Sequence, residues 1–435
     1  MNEQDLQDVK INQVFGTEFF ESNFWLYWST MFVFMPWSSV MEMRRYLLRF
    51  IHLFGNLSDM TTLQFLKYNQ YESIILPIVK FLGKAGVSFH YGVDITNVVV
   101  DATPERKVAK KIEMRVKGYK KVIKLNRSDF VFVTNGSLMD AATYGDNDTP
   151  PEIKHNLGRA WNLWKNIATQ SSDFGRPEKF YDNISDANWK IGATITLVDE
   201  RVVKYIEKIC NKNPYSGSIV SSGPVSVKDS NWGLSFCIPR QPYFKRQKQT
   251  EIVTWVYGLC SDTIGNYVRK KITTCSGAEI CAEWLYHIGV PETEIDDITK
   301  KSSRTIPCYM PYISTYFRPR AIGDRPNVIP KGSVNFAFIG NYTEMPRDTV
   351  FTSEYSVRSA MCAVYKLFDI KRAEPEVFPS CFDLRVLLRC LYYLTDKKKL
   401  ENMHLPWFLR LIERYGAKHL KDTYVQELFK DAKLV

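Results

Sequence analysis

Two stretches of this sequence have the residue types and spacing of backbone-mediated ligand binding. Asp129-Phe130-Val131-Phe132-Val133 is a continuous apolar run, as in a buried parallel strand, and it ends in Thr134-Asn135-Gly136-Ser137. Asn335-Phe336-Ala337-Phe338-Ile339-Gly340 repeats the pattern and continues into Asn341-Tyr342, ahead of a segment that reads as a long helix from about Ser353 to Phe368. Parallel strands bind ligands in the crevice beyond their carboxyl ends. Gly136 and Gly340 would let the backbone approach such a ligand closely. A helix after Asp348 would present free N–H groups and a positive dipole end to an anionic or electron-rich group. Ordinary turns give the same strings, because glycine also serves turns that hold no ligand. The anchor that normally accompanies such a site is missing: no Gly-x-Gly-x-x-Gly follows a strand, and Gly83-Lys84-Ala85-Gly86 precedes a strand instead of a helix.

Other chemistry-bearing residues are ambiguous. Tyr46 lies between Met43 and Phe50 on the apolar face of a helix, the ordinary place for a core tyrosine with one polar handle. The nine cysteines contain no Cys-x-x-Cys, and Cys275 and Cys281 have no paired histidines for a zinc site, so reduced thiols and no metal are expected.

Helical patterning dominates residues 17 to 84. Ser39-Val40-Met41-Glu42 reads as a capping box, followed by Val40, Met43, Leu47, Phe50, Ile51 and Phe54 at helical spacing, with Gly55 as the stop. A second helix is expected over Tyr71 to Lys84. Strands are expected at Val87 to Tyr91 and Ile95 to Val100, with a hairpin of Lys111–Val116 and Lys120–Leu125 turning at Gly118. Helices (Trp161 to Gln170, Ala278 to Gly289) and strands (Ile191 to Leu197, Ile252 to Gly258) mix thereafter. The fold class is α/β.

Apolar residues make up 45% and charged residues 24%, the balance of a globular protein of two or three domains. The aromatic run from Phe19 to Trp37 is either a buried helix or the wall of an apolar tunnel. It is too short, and too broken by Ser29, Thr30 and Pro36, to span a bilayer. The start, Met1-Asn2-Glu3-Gln4-Asp5, does not read as a signal peptide, and a cytoplasmic location is expected. The net charge of +11 favours anionic partners. Nucleic acid is not expected, since no basic run alternates with exposed aromatics.

Longer strings carry a resemblance. Glu21-Ser22-Asn23-Phe24-Trp25-Leu26-Tyr27-Trp28, Lys67-Tyr68-Asn69-Gln70-Tyr71-Glu72-Ser73 and Tyr144-Gly145-Asp146-Asn147-Asp148-Thr149-Pro150 are similar to strings of the oleate hydratase family. So are Phe174-Gly175-Arg176-Pro177-Glu178-Lys179-Phe180, Val227-Lys228-Asp229-Ser230-Asn231-Trp232, Glu283-Trp284-Leu285-Tyr286-His287, Gly323-Asp324-Arg325-Pro326 and Pro346-Arg347-Asp348-Thr349-Val350-Phe351-Thr352. They run in the family's order to about residue 390.

The resemblance implies addition of water across a cis double bond of a free unsaturated fatty acid, with bound FAD in a mainly structural and electrostatic role. It implies an FAD/NAD(P)-binding-type fold lacking its first part. The expected domains are a helical channel region (1–86), a partial FAD-binding domain (87–145), an inserted α+β substrate domain (146–330), the FAD-binding return (331–370) and a helical tail (371–435). It makes Tyr46 the proton donor, a neutral phenol in an apolar channel. Its carboxylate partner belongs to an upstream loop that these residues do not match, so a missing N-terminal portion is expected, and with it poor flavin binding and weak activity. Asn69 resembles a substrate contact, with a capping role as the alternative. The family's carboxylate anchors, a Thr, an Asn and a His, are replaced here by Cys237, Pro239 and Tyr243, while Arg240, Gln241 and Pro242 match. Each lost hydrogen bond to a charged group would cost roughly 1.5–3 kcal/mol unless Arg240 and Tyr243 compensate. FAD contacts fall on Ser137, Asp348, Thr352, Ser353 and, through the backbone, Ile95. In the tail, Leu405, Trp407, Phe408, Leu411 and Ile412 with Arg410, Arg414, Lys418 and Lys421 fit a peripheral role on an anionic membrane; packing against the body is the alternative. A homodimer stays open, as does a non-catalytic lipid- or partner-binding remnant.

Overall fold

The computed structural model describes residues 2–56, 65–182, 190–221, 223–395, 397–403 and 423–435. The amphipathic tail residues named above lie outside them. The chain forms two compact units, the first from residues 1–41, 64–345 and 350–374, the second from 42–63, 346–349 and 375–435.

In the first unit, β1 (Val93–Ala102), β2 (Lys107–Val116) and β3 (Tyr119–Lys124) form an antiparallel meander. The β2–β3 hairpin turns at Lys117-Gly118, where both residues take positive φ and glycine does so without steric cost. The expected strand at Val87–Tyr91 does not form: those residues are exposed and irregular, with no ladder partner among the described residues. β4 (Val131–Thr134) pairs in parallel with β11 (Phe336–Ile339), Thr134 opposite Ile339. The two glycine-ended strands therefore lie side by side and finish together. β4 is not buried throughout: Val131 and Val133 enter the core while Phe132 and Thr134 are exposed. Val98, Val100, Ala109, Val131, Val133, Phe336 and Phe338 share one core with Ile167, on the helix Arg159–Ala168, and Phe174.

The remaining strands build an antiparallel sheet in the order β5-β10-β6-β9-β8-β7. These are β5 (Thr143–Tyr144), β6 (Ile191–Leu197), β7 (Val225–Ser226), β8 (Leu234–Cys237), β9 (Ile252–Gly258) and β10 (Ser303–Tyr309). The helix Gly277–His287, opened by a Ser276/Glu279 capping box, covers it with Ile280, Cys281, Trp284 and Leu285. Its Glu283 is fully buried and accepts the N–H groups of Asn266, Tyr267 and Val268, which fixes the loop after β9.

The aromatic helix Asn23–Phe32 resolves in favour of packing. Trp25 and Trp28 are buried, Trp28 meets Phe24, Phe32 and Phe34, and Tyr257 of β9 donates to the Thr30 carbonyl. In the second unit the helix ending at Phe50 passes into a 3-10 segment, Ile51–Asn56. Gly55 is not its stop: it sits against the ring of Tyr393, where a side chain would collide. The helices Leu384–Leu394 and Tyr424–Asp431 complete that unit around Leu388, Met403, Leu428 and Leu434.

Candidate functional site

The first candidate region is the shared end of β4 and β11. Gly136 has φ +59, and a Cβ there would lie 2.8 Å from Tyr342 Cδ2 and 3.2 Å from Trp161 Cη2. Gly340 has φ +88, with Thr134 Cγ2 3.0 Å from the same imaginary atom. Both glycines are required, but at these contacts protein side chains take the close approach. The Tyr342 phenol is fully buried, bonds to Thr315 Oγ1 at 2.5 Å and is held well above the usual tyrosine range by burial and by the neighbouring Tyr316.

The expected FAD contacts in this unit hydrogen-bond within the protein. Ser137 Oγ accepts from the N–H groups of Met139 and Asp140. Thr352 Oγ1 caps the helix Ser353–Leu367 by accepting Tyr355 N–H at 3.3 Å. Ser353 Oγ accepts from Gln70 Nε2 at 2.9 Å. Ile95 pairs with Met114 beside a bulge in β1, on a separate sheet.

One residue of this turn was missed as an individual candidate. Asn135 is 1% exposed, and neither its Nδ2 nor its Oδ1 has a hydrogen-bond partner. Buried amides are rarely left so, because each orphaned atom costs about 1–3 kcal/mol. The signal in the sequence was its place: a polar residue at the end of an otherwise apolar strand.

The second region is the loop between β8 and β9. The structure brings Asn69 to it. Asn69 Nδ2 donates to the Tyr243 carbonyl at 3.2 Å and to Glu72 Oε2 at 2.8 Å, while its Oδ1 accepts Glu72 N–H. Asn69 is therefore a helix cap that ties the loop down, with both amide hydrogens engaged. Gln241 is likewise occupied. Its Nε2 donates to the carbonyls of Pro239 and Val253, and its Oε1 accepts from Val253 N–H and Gln247 Nε2. That network makes Gln241 a pillar of the loop. Cys237 Sγ accepts from Ser221 Oγ at 3.6 Å, and burial raises its thiol pKa.

Arg240 and Tyr243 differ. Arg240 is half-buried, and its guanidinium has no hydrogen-bond or ion-pair partner among the described residues; Nε is wholly buried. Tyr243 is half-buried too, and burial, then the nearby Cys237, pushes its phenol pKa up, so it stays a neutral donor at physiological pH. A half-buried guanidinium and a neutral hydroxyl three residues apart on one loop are chemistry for a carboxylate.

In the second unit, Tyr46 is 1% exposed and its ring lies tilted at 48° to that of Phe50, with centroids 5.7 Å apart. Asp348 is 1% exposed and accepts Thr349 N–H at 2.8 Å. A cavity of about 380 Å³ in this unit is lined by Ile51, His52, Gly55, Arg385, Arg389, Tyr393 and Lys433 among others; Tyr46 is not part of its wall. Among the described residues, no cluster of His, Cys, Asp and Glu could hold a metal.

A mixed α/β body with an unsatisfied cation in a strand-connecting loop is one of many such proteins until the whole sequence is compared. Residues 1–365 match the MCRA family model, and the chain belongs to that family. It is 48% identical, over all 435 residues, to the oleate hydratase of Streptococcus pyogenes serotype M49 (strain NZ131), covering 74% of that protein. It is 31% identical over 384 residues to the linoleate hydratase of Lactiplantibacillus plantarum, which spans 83% of this chain and 66% of that protein.

Proposed function

We propose that this chain binds free unsaturated fatty acids and belongs to an FAD-dependent hydratase that adds water across their cis double bond. Identity of 48% over the full chain to an oleate hydratase carries the reading, and the unpartnered Arg240 supports it by supplying a cation for the fatty-acid carboxylate. Tyr243 adds a neutral O–H donor, while Gln241, Asn69 and Gln247 hold the loop that carries both.

The chemistry balances without external redox. The Tyr46 O–H bond breaks as a C–H bond forms at one alkene carbon. Water oxygen bonds to the other carbon, and the second proton of that water returns to the protein. No residue of these 435 is assigned the base that takes it. FAD, when bound, would supply a fixed electrostatic surface. What supports its fit is Asn135, an orphaned amide one residue beyond the parallel pair β4–β11, since dinucleotides bind beyond the carboxyl ends of such strands; Ser137, Thr352 and Ser353 would be its further contacts.

The test is mass spectrometry of hydroxy fatty acid formed from oleate by the purified protein with added FAD, in isotopically labelled water. Tyr46→Phe is expected to lower any turnover by about 10²-fold or more, as loss of a general acid does. An unchanged rate removes Tyr46 from the mechanism. The second reading, a lipid-binding protein without turnover, is favoured by Cys237, Pro239 and Tyr243 at the family's anchor positions; it predicts oleate binding without product.

A further inference from the structure

The parallel pair β4–β11 is finished on one edge and open on the other. On the outer edge of β11, Phe338 N–H donates to the Val328 carbonyl at 2.9 Å. The Phe336 carbonyl there accepts from Ser333 Oγ at 2.5 Å, and the Phe338 carbonyl from Thr343 Oγ1 at 3.5 Å. On β4, Val131 N–H donates to the Asn335 carbonyl at 2.9 Å. The backbone groups of alternate strand residues point the same way, so Val131 and Val133 turn theirs toward β11 while Phe132 and Thr134 turn theirs outward. No hydrogen bond reaches that outward row among the described residues, and both of its residues are exposed.

The sheet face is unfinished at the same place. Phe132 and Ala337 are register partners. Ala337 is fully buried, and the helix Ser353–Leu367 packs on its strand, with Ser359 Oγ accepting Gly340 N–H at 2.9 Å. Phe132 beside it is 37% exposed. Parallel sheets are ordinarily covered on both faces, and two strands alone are marginal. A row of unpaired N–H and C=O groups beside an exposed ring is a template for a further strand.

The occupant follows from direction and from what stands at the end of the row. A parallel neighbour comes with a crossover, usually a helix, and a helix is what Phe132 lacks above it. One residue past β4 stands the orphaned amide of Asn135. The strand–Gly-x-Gly-x-x-Gly–helix unit that belongs beside such a strand end occurs nowhere in the 435 residues. The Streptococcus pyogenes hydratase aligns with this chain over all 435 residues, which cover 74% of it, so that protein has further length with no counterpart here.

We propose that the open edge of β4 is a docking edge for a parallel strand of a βα unit bearing the dinucleotide fingerprint, supplied by a polypeptide segment outside these 435 residues. The incoming strand pairs with the backbone of Phe132 and Thr134, and its helix covers Phe132. A role for this edge in holding flavin rests on the FAD reading; the strand pairing does not.

The experiment co-expresses the full 435-residue chain with the part of the Streptococcus pyogenes protein that has no counterpart in it, the latter carrying an affinity tag. Capture of the chain is measured for the wild type, Phe132→Pro and Phe132→Lys. Proline removes the outward N–H and lysine blunts the edge, and both alter an exposed position, with circular dichroism checking the fold. The wild type is expected to be captured as a one-to-one complex and each variant about tenfold less, from the lost strand bonds and ring burial. Hydrogen exchange of the wild-type chain alone needs no variant: the amides of Phe132 and Thr134 are expected to exchange fast, those of Val131 and Val133 slowly, and the first pair to slow in the complex. Four results overturn the proposal. They are a wild type that is not captured; variants captured like the wild type; slow exchange at Phe132 and Thr134 in the chain alone; and a wild-type dimer, seen by light scattering, that Phe132→Pro turns into a monomer, which assigns the edge to a second copy. Neither turnover nor flavin content is measured, so failure of the hydratase reading is distinguishable from failure of this one.

Discussion

The β8–β9 loop and the paired ends of β4 and β11 were both marked by the sequence as polar sites, and they use their polar residues in opposite ways. In the loop, Gln241 has four hydrogen bonds to protein groups and Asn69 three through its side chain, and what remains uncommitted is a cation, Arg240. Of the expected flavin contacts, Ser137 accepts local N–H groups, Thr352 caps its helix and Ser353 accepts from the distant Gln70, and what remains uncommitted in the turn after β4 is a neutral amide, Asn135. Capacity for a ligand resides in the unsatisfied group, and its charge selects the ligand. The loop suits an anion, and the turn suits a polar edge that both donates and accepts.

The sharpest way to break this contrast is at the pillar. Gln241→Ala orphans Val253 N–H and its carbonyl inside the protein and should cost about 3 kcal/mol or more, read as a lower urea midpoint. A change within 0.5 kcal/mol, roughly the range of neutral surface substitutions, would mean that Gln241 is not what holds the loop. Gly136→Ala adds a Cβ against the Tyr342 and Trp161 rings at φ +59 and should cost about 2–3 kcal/mol. A neutral outcome would show room at the turn that the rings do not fill. Asn135→Leu should act in the reverse sense. Replacing an orphaned amide by an apolar group of similar size should stabilise the flavin-free protein by about 1 kcal/mol while weakening flavin retention, checked by thermal melts and by flavin absorbance after desalting. Destabilisation with flavin absent would mean that the amide has a partner.

Much of the frame was legible in the chain. The hairpin at Gly118, the two glycine-ended strands and the helices at 71–84 and 353–367 all follow from local periodicity and turn chemistry, which act within a few residues. What escaped depends on partners far away. Val87–Tyr91 alternates like a strand but meets no ladder among the described residues. Gly55 reads as a helix stop, yet its lack of a side chain is explained by Tyr393, more than 300 positions later. Asn69 and Gln241 stood as substrate-binding candidates through the family resemblance, Asn69 with capping as its alternative. Their hydrogen bonds within the protein, with a carbonyl 174 positions away in one case and with β9 in the other, exist only in the folded chain. The same limit hid Asn135, since being unsatisfied is a property of surroundings and not of residue type.

The central claim is that the uncommitted guanidinium of Arg240 anchors a fatty-acid carboxylate, and calorimetric titration with oleate below its micelle concentration tests it most directly. Arg240→Met is expected to leave the melting temperature nearly unchanged and to weaken oleate binding by about tenfold or more, consistent with the roughly 1.5–3 kcal/mol of a hydrogen bond to a charged group. Binding of oleyl alcohol, which has the same chain and no carboxylate, is expected to be unaffected. Equal oleate affinities in the wild type and Arg240→Met would contradict the claim.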